Sequence, residues 1–280
     1  MKDIIACIDG TSVSEAVSDY AAWASLRLDA PMILLHVLDK SEYPTHTDLS
    51  GNIGLGSREA LLQELAELDE KRSKIALEQG RLMLDAANQR AIADGVANPI
   101  VHQRHGSLLE SLQAIEQDTR LLVLGKHDEN LKPHVGSRLE SVVRTLHCPI
   151  LVTTETFKAP QQVMIAFDGS ATTRKGIEMV AGSPLFQGLS CHVVMIGADN
   201  DEHRGQLDWA QQTLTAAGFD VSTVLKQGEV ESTLCRYRRE HAIDMLIMGA
   251  WGHSVIRRFL VGSTTTSVIR NAQIPVLLLR

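Results

Sequence analysis

Gly249 to Ser267 reads GAWGHSVIRRFLVGSTTTS. The stretch follows an apolar run, Ile243 to Met248, of the kind that forms a buried parallel strand, and it leads into a helical pattern ending near Arg270. Gly249 and Gly252 permit a tight turn and close approach of the backbone to a ligand. Gly262 and Ser263 open the helix, where unpaired N–H groups and the positive end of the dipole favour an anion. Written as spacing this is Gly-x2-Gly-x9-Gly-Ser. With Gly at roughly 7% of an average chain, three glycines so placed arise by chance at about 3 in 10,000 starting positions. The plainer reading of the same letters is a strand-end turn followed by a helix cap.

The elements around this stretch occur twice. In the first half, a strand at Lys2 to Ile8 ends in Asp9-Gly10, and a helix runs from Ser12 to Leu28. Met32 to Leu38 is apolar almost throughout, as expected of a strand covered on both faces. Ser41 to Ser57 has no periodicity, and a loop of that length in a compact domain is usually functional or mobile. Arg58 to Ala93 is a long helical pattern, one helix or two pieces with a kink. Its stripe of Leu61, Leu65, Leu68, Ile75, Leu82 and Ala86 reads as packing surface. Strands at Asn98 to Gln103, Leu121 to Leu124 and Pro149 to Thr153 follow, with helices at Ser107 to Gln117 and Ser137 to Leu146 between them.

After Phe157-Lys158-Ala159-Pro160 the order restarts, and Asp168-Gly169-Ser170 matches Asp9-Gly10-Thr11. Gly136 to Pro149 and Gly262 to Pro275 are both 13 residues apart, so the ends superpose without gaps. Asp9 to Gly125 spans 116 positions and Asp168 to Gly249 spans 81; the 35 extra residues lie in the loop and long helix of the first half. This is an internal duplication, with expected domains at 1–156 and 157–280. Strands alternating with helices imply parallel sheets with right-handed crossovers. In such sheets a ligand lies beyond the carboxyl ends of the strands, where Asp168, Ile196 and Gly249 fall.

Bulk composition narrows the function. The chain has 280 residues, 44% hydrophobic and 22% charged, and no apolar run near the roughly 18 residues a membrane span needs. A net charge of -7 argues against sequence-independent nucleic-acid binding. MKDIIACIDG at the start is a strand rather than a signal peptide. Cys7, Cys148, Cys191 and Cys235 are scattered without a Cys-x-x-Cys and read as small buried hydrophobes in a reducing cytoplasm.

The strand-end Asp-Gly-Ser/Thr, the Gly-x2-Gly-x9-Gly-Ser/Thr spacing and the α/β order together resemble the universal stress proteins, and the two copies resemble tandem members of that family. The resemblance implies two Rossmann-like (adenine nucleotide alpha hydrolase-like) domains, each a five-stranded parallel sheet with helices on both faces. It implies pairing of the domains through their last strands about a pseudo-twofold, Ile150 to Thr153 meeting Val276 to Leu279, and it leaves open a homodimer. It also implies binding of ATP, ADP or AMP, with Mg²⁺ a candidate companion. Ala166 and Asp168 would then lie beside the adenosine, and Ile196 would offer backbone groups to adenine. Met248, Gly249, Gly252 and His253 would line the ribose and α-phosphate, and Gly262, Ser263 and Thr264 would hold the distal phosphates. Asp168 is open to three readings: acceptor for ribose or adenine, helper of Mg²⁺, or former of the strand-end turn.

The first half departs from the pattern. Asp128 stands where the second half has Gly252, and Gly136 follows Gly125 by 11 residues instead of 13. Ser137-Arg138-Leu139-Glu140 reads as a capping box whose own carboxylate fills the anion position. The expectation is an occupied second site and a degenerate first one.

Other chemistry fits less well. His102, His105, His127, His134 and His147 lack helix-face metal spacing with a carboxylate. No Gly-x-x-x-x-Gly-Lys-Ser/Thr loop or Gly-x-Ser-x-Gly elbow is present, and the acids and Lys of a phospho-receiver are missing. Two function classes remain. One is a nucleotide-binding stress-response or signalling module with no catalytic residue. The other is a slow ATPase or self-phosphorylating enzyme with Ser263 or Thr264 as acceptor. The absence of a positioned base, and of an arginine clamp beyond Arg257 and Arg258, favours the first.

Overall fold

Strands that are apolar at successive positions need cover on both faces, and the fold supplies it. The structure is a computed structural model that describes residues 2–39, 55–126, 135–249, 268–269 and 271–279. The first half contributes β1 (Asp3–Cys7), α1 (Ser14–Leu28), β2 (Met32–Leu38), α2 (Leu55–Ala93), β3 (Ile100–His105), α3 (Leu108–Gln113), β4 (Thr119–Gly125), α4 (Val135–Thr145) and β5 (Ile150–Thr153). The second contributes β6 (Gln162–Phe167), α5 (Ala171–Gly182), β7 (Ser190–Ile196), α6 (Asp201–Ala216), β8 (Asp220–Lys226), α7 (Val230–Glu240), β9 (Met245–Gly249) and β10 (Val276–Leu279).

All the strands join one sheet in the order β3-β2-β1-β4-β5-β10-β9-β6-β7-β8. Neighbours are parallel except at the centre, where β10 and β5 run antiparallel with Val276 opposite Val152, Leu277 opposite Leu151 and Leu278 opposite Ile150. This is the expected meeting of the last strands. Alternate residues feed two cores: Ile4, Ile165, Ile247 and Leu277 face one side, and Ile5, Met164, Leu246 and Leu278 the other.

Contacts outside the seam also join the halves. Tyr20 donates its hydroxyl to the Lys158 carbonyl and accepts from the Lys158 N–H, both at 3.3 Å, and its ring meets Phe157 edge-on. Arg27 Nε donates to the Leu185 carbonyl at 2.7 Å. Lys126 Nζ donates to the Ala272 carbonyl at 2.9 Å, a cation on the last carbonyls of a helix.

The helical pattern expected over Arg58 to Ala93 is one helix, α2, with no break. The role expected of its stripe is corrected. Leu68, Ile75 and Leu82 are exposed, and the residues that pack on the sheet are Leu84, Ala87 and Ala91. Residues 68, 75 and 82 recur at seven-residue steps on the face turned away from the sheet, so the stripe is real but these three contribute nothing to the core.

Leu151 and Leu277 lie opposite each other, both almost fully buried. Leu277→Ala is expected to cost about 2–5 kcal/mol, seen as a lower urea midpoint. Loss of well under 1 kcal/mol would mean the central seam packs loosely.

Candidate functional site

The chain's progression along the sheet reverses twice, between β1 and β4 and between β6 and β9, and each reversal opens a crevice beyond the strand ends. At the second, Ala166 and Met248 are cross-strand partners, Asp168 follows β6 directly, and Gly249 ends β9 beside Leu279. Ile196 ends β7, one residue beyond the last β6–β7 pair. These five sequence-derived residues share one sheet edge. Gly252, His253, Gly262, Ser263 and Thr264 lie outside the described residues, as do Arg257 and Arg258.

Both Asp-Gly turns are built alike. Asp168 Oδ1 accepts from the Ser170 N–H at 3.0 Å and the Thr173 hydroxyl at 2.7 Å, and Ser170 caps α5 by accepting from the Thr173 N–H at 3.3 Å. Asp9 Oδ1 accepts from the Thr11 N–H, the Thr11 hydroxyl and the Ser14 hydroxyl at 3.2, 2.7 and 2.8 Å. Gly169 and Gly10 sit at φ 74° and 75°, a conformation that a side chain resists. Of the readings open for Asp168, the turn-forming one is therefore visible, and the first half shares it.

What differs is the packing around the turns. Counting from each Asp pairs Val13 with Thr172 and Val17 with Gly176. In the second half a small hollow is lined by Ala166, Thr172, Thr173, Gly176, Met248, Gly249 and Leu279, among others. In the first half Val13 and Val17 are fully buried, and a Cβ built on Gly125 would stand 2.9 Å from Val13 Cγ1 and 3.2 Å from Val17 Cγ2. A Cβ built on Gly249 would stand 3.3 Å from Thr173 Cγ2 and 3.5 Å from Thr172 Cγ2, so the second turn is looser by a few tenths of an ångström, and Gly176 stands where the first half has the buried Val17.

The covering helices lie equally close over the two turns but differ in chemistry. A Cβ on Gly10 would lie 1.8 Å from Met83 Sδ of α2, and one on Gly169 would lie 1.9 Å from Gln206 Oε1 of α6. That oxygen is buried with no hydrogen-bond partner among the described residues, a state costing about 1–3 kcal/mol. Sequence reasoning missed both differences. Aligning Gly95 with Gly218, which end the two helices at φ 102° and 86°, would have placed Met83 against Gln206.

The capping box expected at Ser137 is not formed. The helix α4 begins at Val135, so Ser137 lies inside it and cannot act as cap, and the Glu140 carboxylate pairs with Arg144 one turn on. Asp128 and His127 lie outside the described residues. Around the first turn the described residues place Val13 and Val17 against Gly125 and Met83 against Gly10. The four cysteines form no disulfide, and burial pushes the Cys148 thiol up to about 11 and the Cys191 thiol up to about 12. Among the described residues no three His, Cys, Asp or Glu gather as metal ligands, and no helix is long and apolar enough to cross a membrane.

The model of the universal stress protein family matches residues 1–154 and 192–280. The second match begins at β7 and leaves out the Asp168 turn. The chain is 35% identical over 287 aligned positions to the universal stress protein Slr1230 of Synechocystis sp., with 100% of each chain covered. A crystal structure of a universal stress protein from Archaeoglobus fulgidus superposes with a TM-score of 0.67 at 18% identity, over 100% of this chain and 96% of that one. A putative universal stress protein from Pseudomonas aeruginosa superposes with a TM-score of 0.60 at 14% identity, over 100% and 93%. The two structures share the fold.

Asp168→Ala removes the acceptor for two donors of the turn and is expected to cost about 1–2 kcal/mol, lowering Tm by several degrees. An unchanged Tm would show that the carboxylate is dispensable to the turn.

Proposed function

The chain belongs to the universal stress protein family, and we propose that it binds one adenine nucleotide, as ATP, ADP or AMP, at the crevice between β6 and β9. On this reading the chain has two domains, 1–156 and 157–280, and the nucleotide sits in the second. The protein works in the cytoplasm as a binding module of the stress response, its nucleotide setting the shape or partner affinity of the pair.

One observation carries the choice of half: a small hollow lies beside Gly176 at the ends of β6 and β9, whereas the first half has the buried Val17 at the equivalent position. The Gly-x2-Gly-x9-Gly-Ser spacing supports phosphate binding at Gly262, Ser263 and Thr264, where backbone N–H groups would meet an anion, with or without Mg²⁺. Gly252 and His253 would approach the ribose and α-phosphate. Gln206 Oε1 over Gly169, without a partner among the described residues, is an acceptor that an N–H of the ligand can satisfy, where the first half presents a thioether.

The test is calorimetric titration of ATP and of AMP, with Mg²⁺, into wild type, Gly262→Asp and Gly176→Val. One site per chain is expected, abolished in Gly262→Asp by a carboxylate against the phosphates. Gly176→Val, which imports the first half's filling and would press on Leu279, is expected to weaken binding at least tenfold. Two sites per chain would overturn the assignment to one half, and no binding by folded wild type would overturn the nucleotide reading.

A further inference from the structure

We propose that α2 is a self-association surface, pairing antiparallel with α2 of a second copy of this chain. Counting back from their shared ends, Ala93 and Ala216, the first residue of α6 corresponds to Glu78, so Leu55 to Leu77 of α2 has no counterpart in the second half. No residue from Gln63 to Gln79 is buried. Leu68, Ile75 and Leu82 follow at seven-residue steps and are 44%, 59% and 55% exposed. Leu65, Arg72, Gln79 and Ala86 interleave with them at steps of three and four, the spacing of a seam between two helices. Gly80, Leu84, Ala87 and Ala91 take the opposite face and pack on the domain, so the seam points outward.

The charges along the seam specify the occupant and its direction. In a parallel pair of α2 helices, Arg72 would face Arg72 at the middle of the contact, like against like. In the antiparallel register that sets Leu65 opposite Leu82 of the second copy, Arg72 lies opposite Ile75 and Gln79 opposite Leu68. Glu78 of the second copy then stands within a turn of Arg72 and beside Lys71, and the twofold repeats that cluster on the other side. Within its own helix Glu78 shares Arg81 with Asp85, at 2.7 and 2.9 Å. When Glu78 turns to the second copy, Arg81 keeps Asp85 and so offsets the like-charge approach of Asp85 to Glu64. The seam complements itself, which is what a twofold contact requires.

The helix is formed before it pairs, held along its exposed length by Lys74 with Glu70 at 2.6 Å and by the Arg81 pairs. Leu65 to Ala86 spans about 32 Å, small beside a permanent interface, so the dimer is expected to dissociate on dilution.

Sedimentation equilibrium of the full chain, from low to several hundred micromolar, is expected to show a reversible rise toward twice the chain mass. Ile75→Glu with Leu82→Glu, at exposed positions, is expected to be monomeric throughout with an unchanged far-ultraviolet circular dichroism spectrum. Glu78→Lys, and separately Lys71→Glu with Arg72→Glu, are each expected to weaken association at least tenfold. An equimolar mixture of those two charge variants is expected to associate again, because opposite charges then meet at both clusters. The mixture tests the seam even if the first variant misfolds. A wild type monomeric at every concentration, a dimer that survives the glutamates at 75 and 82, or a mixture that stays monomeric would each overturn the proposal. The readout does not depend on nucleotide, so its outcome is separate from that of the titration.

Discussion

The antiparallel contact of β5 with β10 is the constraint on which the rest of the arrangement depends. Each strand would be the exposed edge of a five-stranded sheet, short, apolar almost throughout and a template for uncontrolled pairing. Their mutual pairing removes both edges and buries all eight residues. It also sets the position of everything functional. The two strand-order reversals lie the same number of strands from the seam on either side, so the two crevices are symmetry mates on opposite edges of the sheet, roughly 20 Å apart across it. Tyr20 with Lys158, Arg27 with Leu185 and Lys126 with Ala272 then brace the halves outside the sheet.

Within that symmetric frame the copies have diverged by small changes at equivalent places. Both keep the Asp-Gly turn, because a positive-φ glycine and an acceptor that gathers the following donors form a local device independent of any ligand. Around it, the first half has valine where the second has threonine and glycine, and methionine where the second has glutamine. Each first-half choice adds apolar contact. In the second half Gly176 borders a small hollow and Gln206 Oε1 has no partner among the described residues, features disfavoured in a protein interior unless something else makes use of them.

The segment that makes the halves unequal is α2. Its carboxyl-terminal part does what α6 does, packing Leu84, Ala87 and Ala91 where α6 packs Leu207, Ala210 and Leu214. The remainder leaves the domain as a helix whose charged pairs and high helix propensity hold it without tertiary support. A long exposed helix with leucine and isoleucine on one face carries a standing solvation cost, and nothing among the described residues covers it.

Sequence alone determined the duplication, the order and type of the elements and, through the family resemblance, the pairing of the last strands. The first two rest on local periodicity and on repeated spacing, which need no knowledge of three-dimensional neighbours. Sequence also placed Ala166, Asp168, Ile196, Met248 and Gly249 at strand ends, since strand ends are marked by glycine and aspartate. Only the tertiary structure decided which apolar stripe of α2 faces the core, because a helix read by itself presents its leucines without saying where the sheet lies. It alone showed that Val17 packs against Gly125 while Gly176 borders a hollow, and that Met83 lies over Gly10 where Gln206 lies over Gly169. Those residues are far from the glycine motif in the chain and meet the turns only through packing, which leaves no local signature to read.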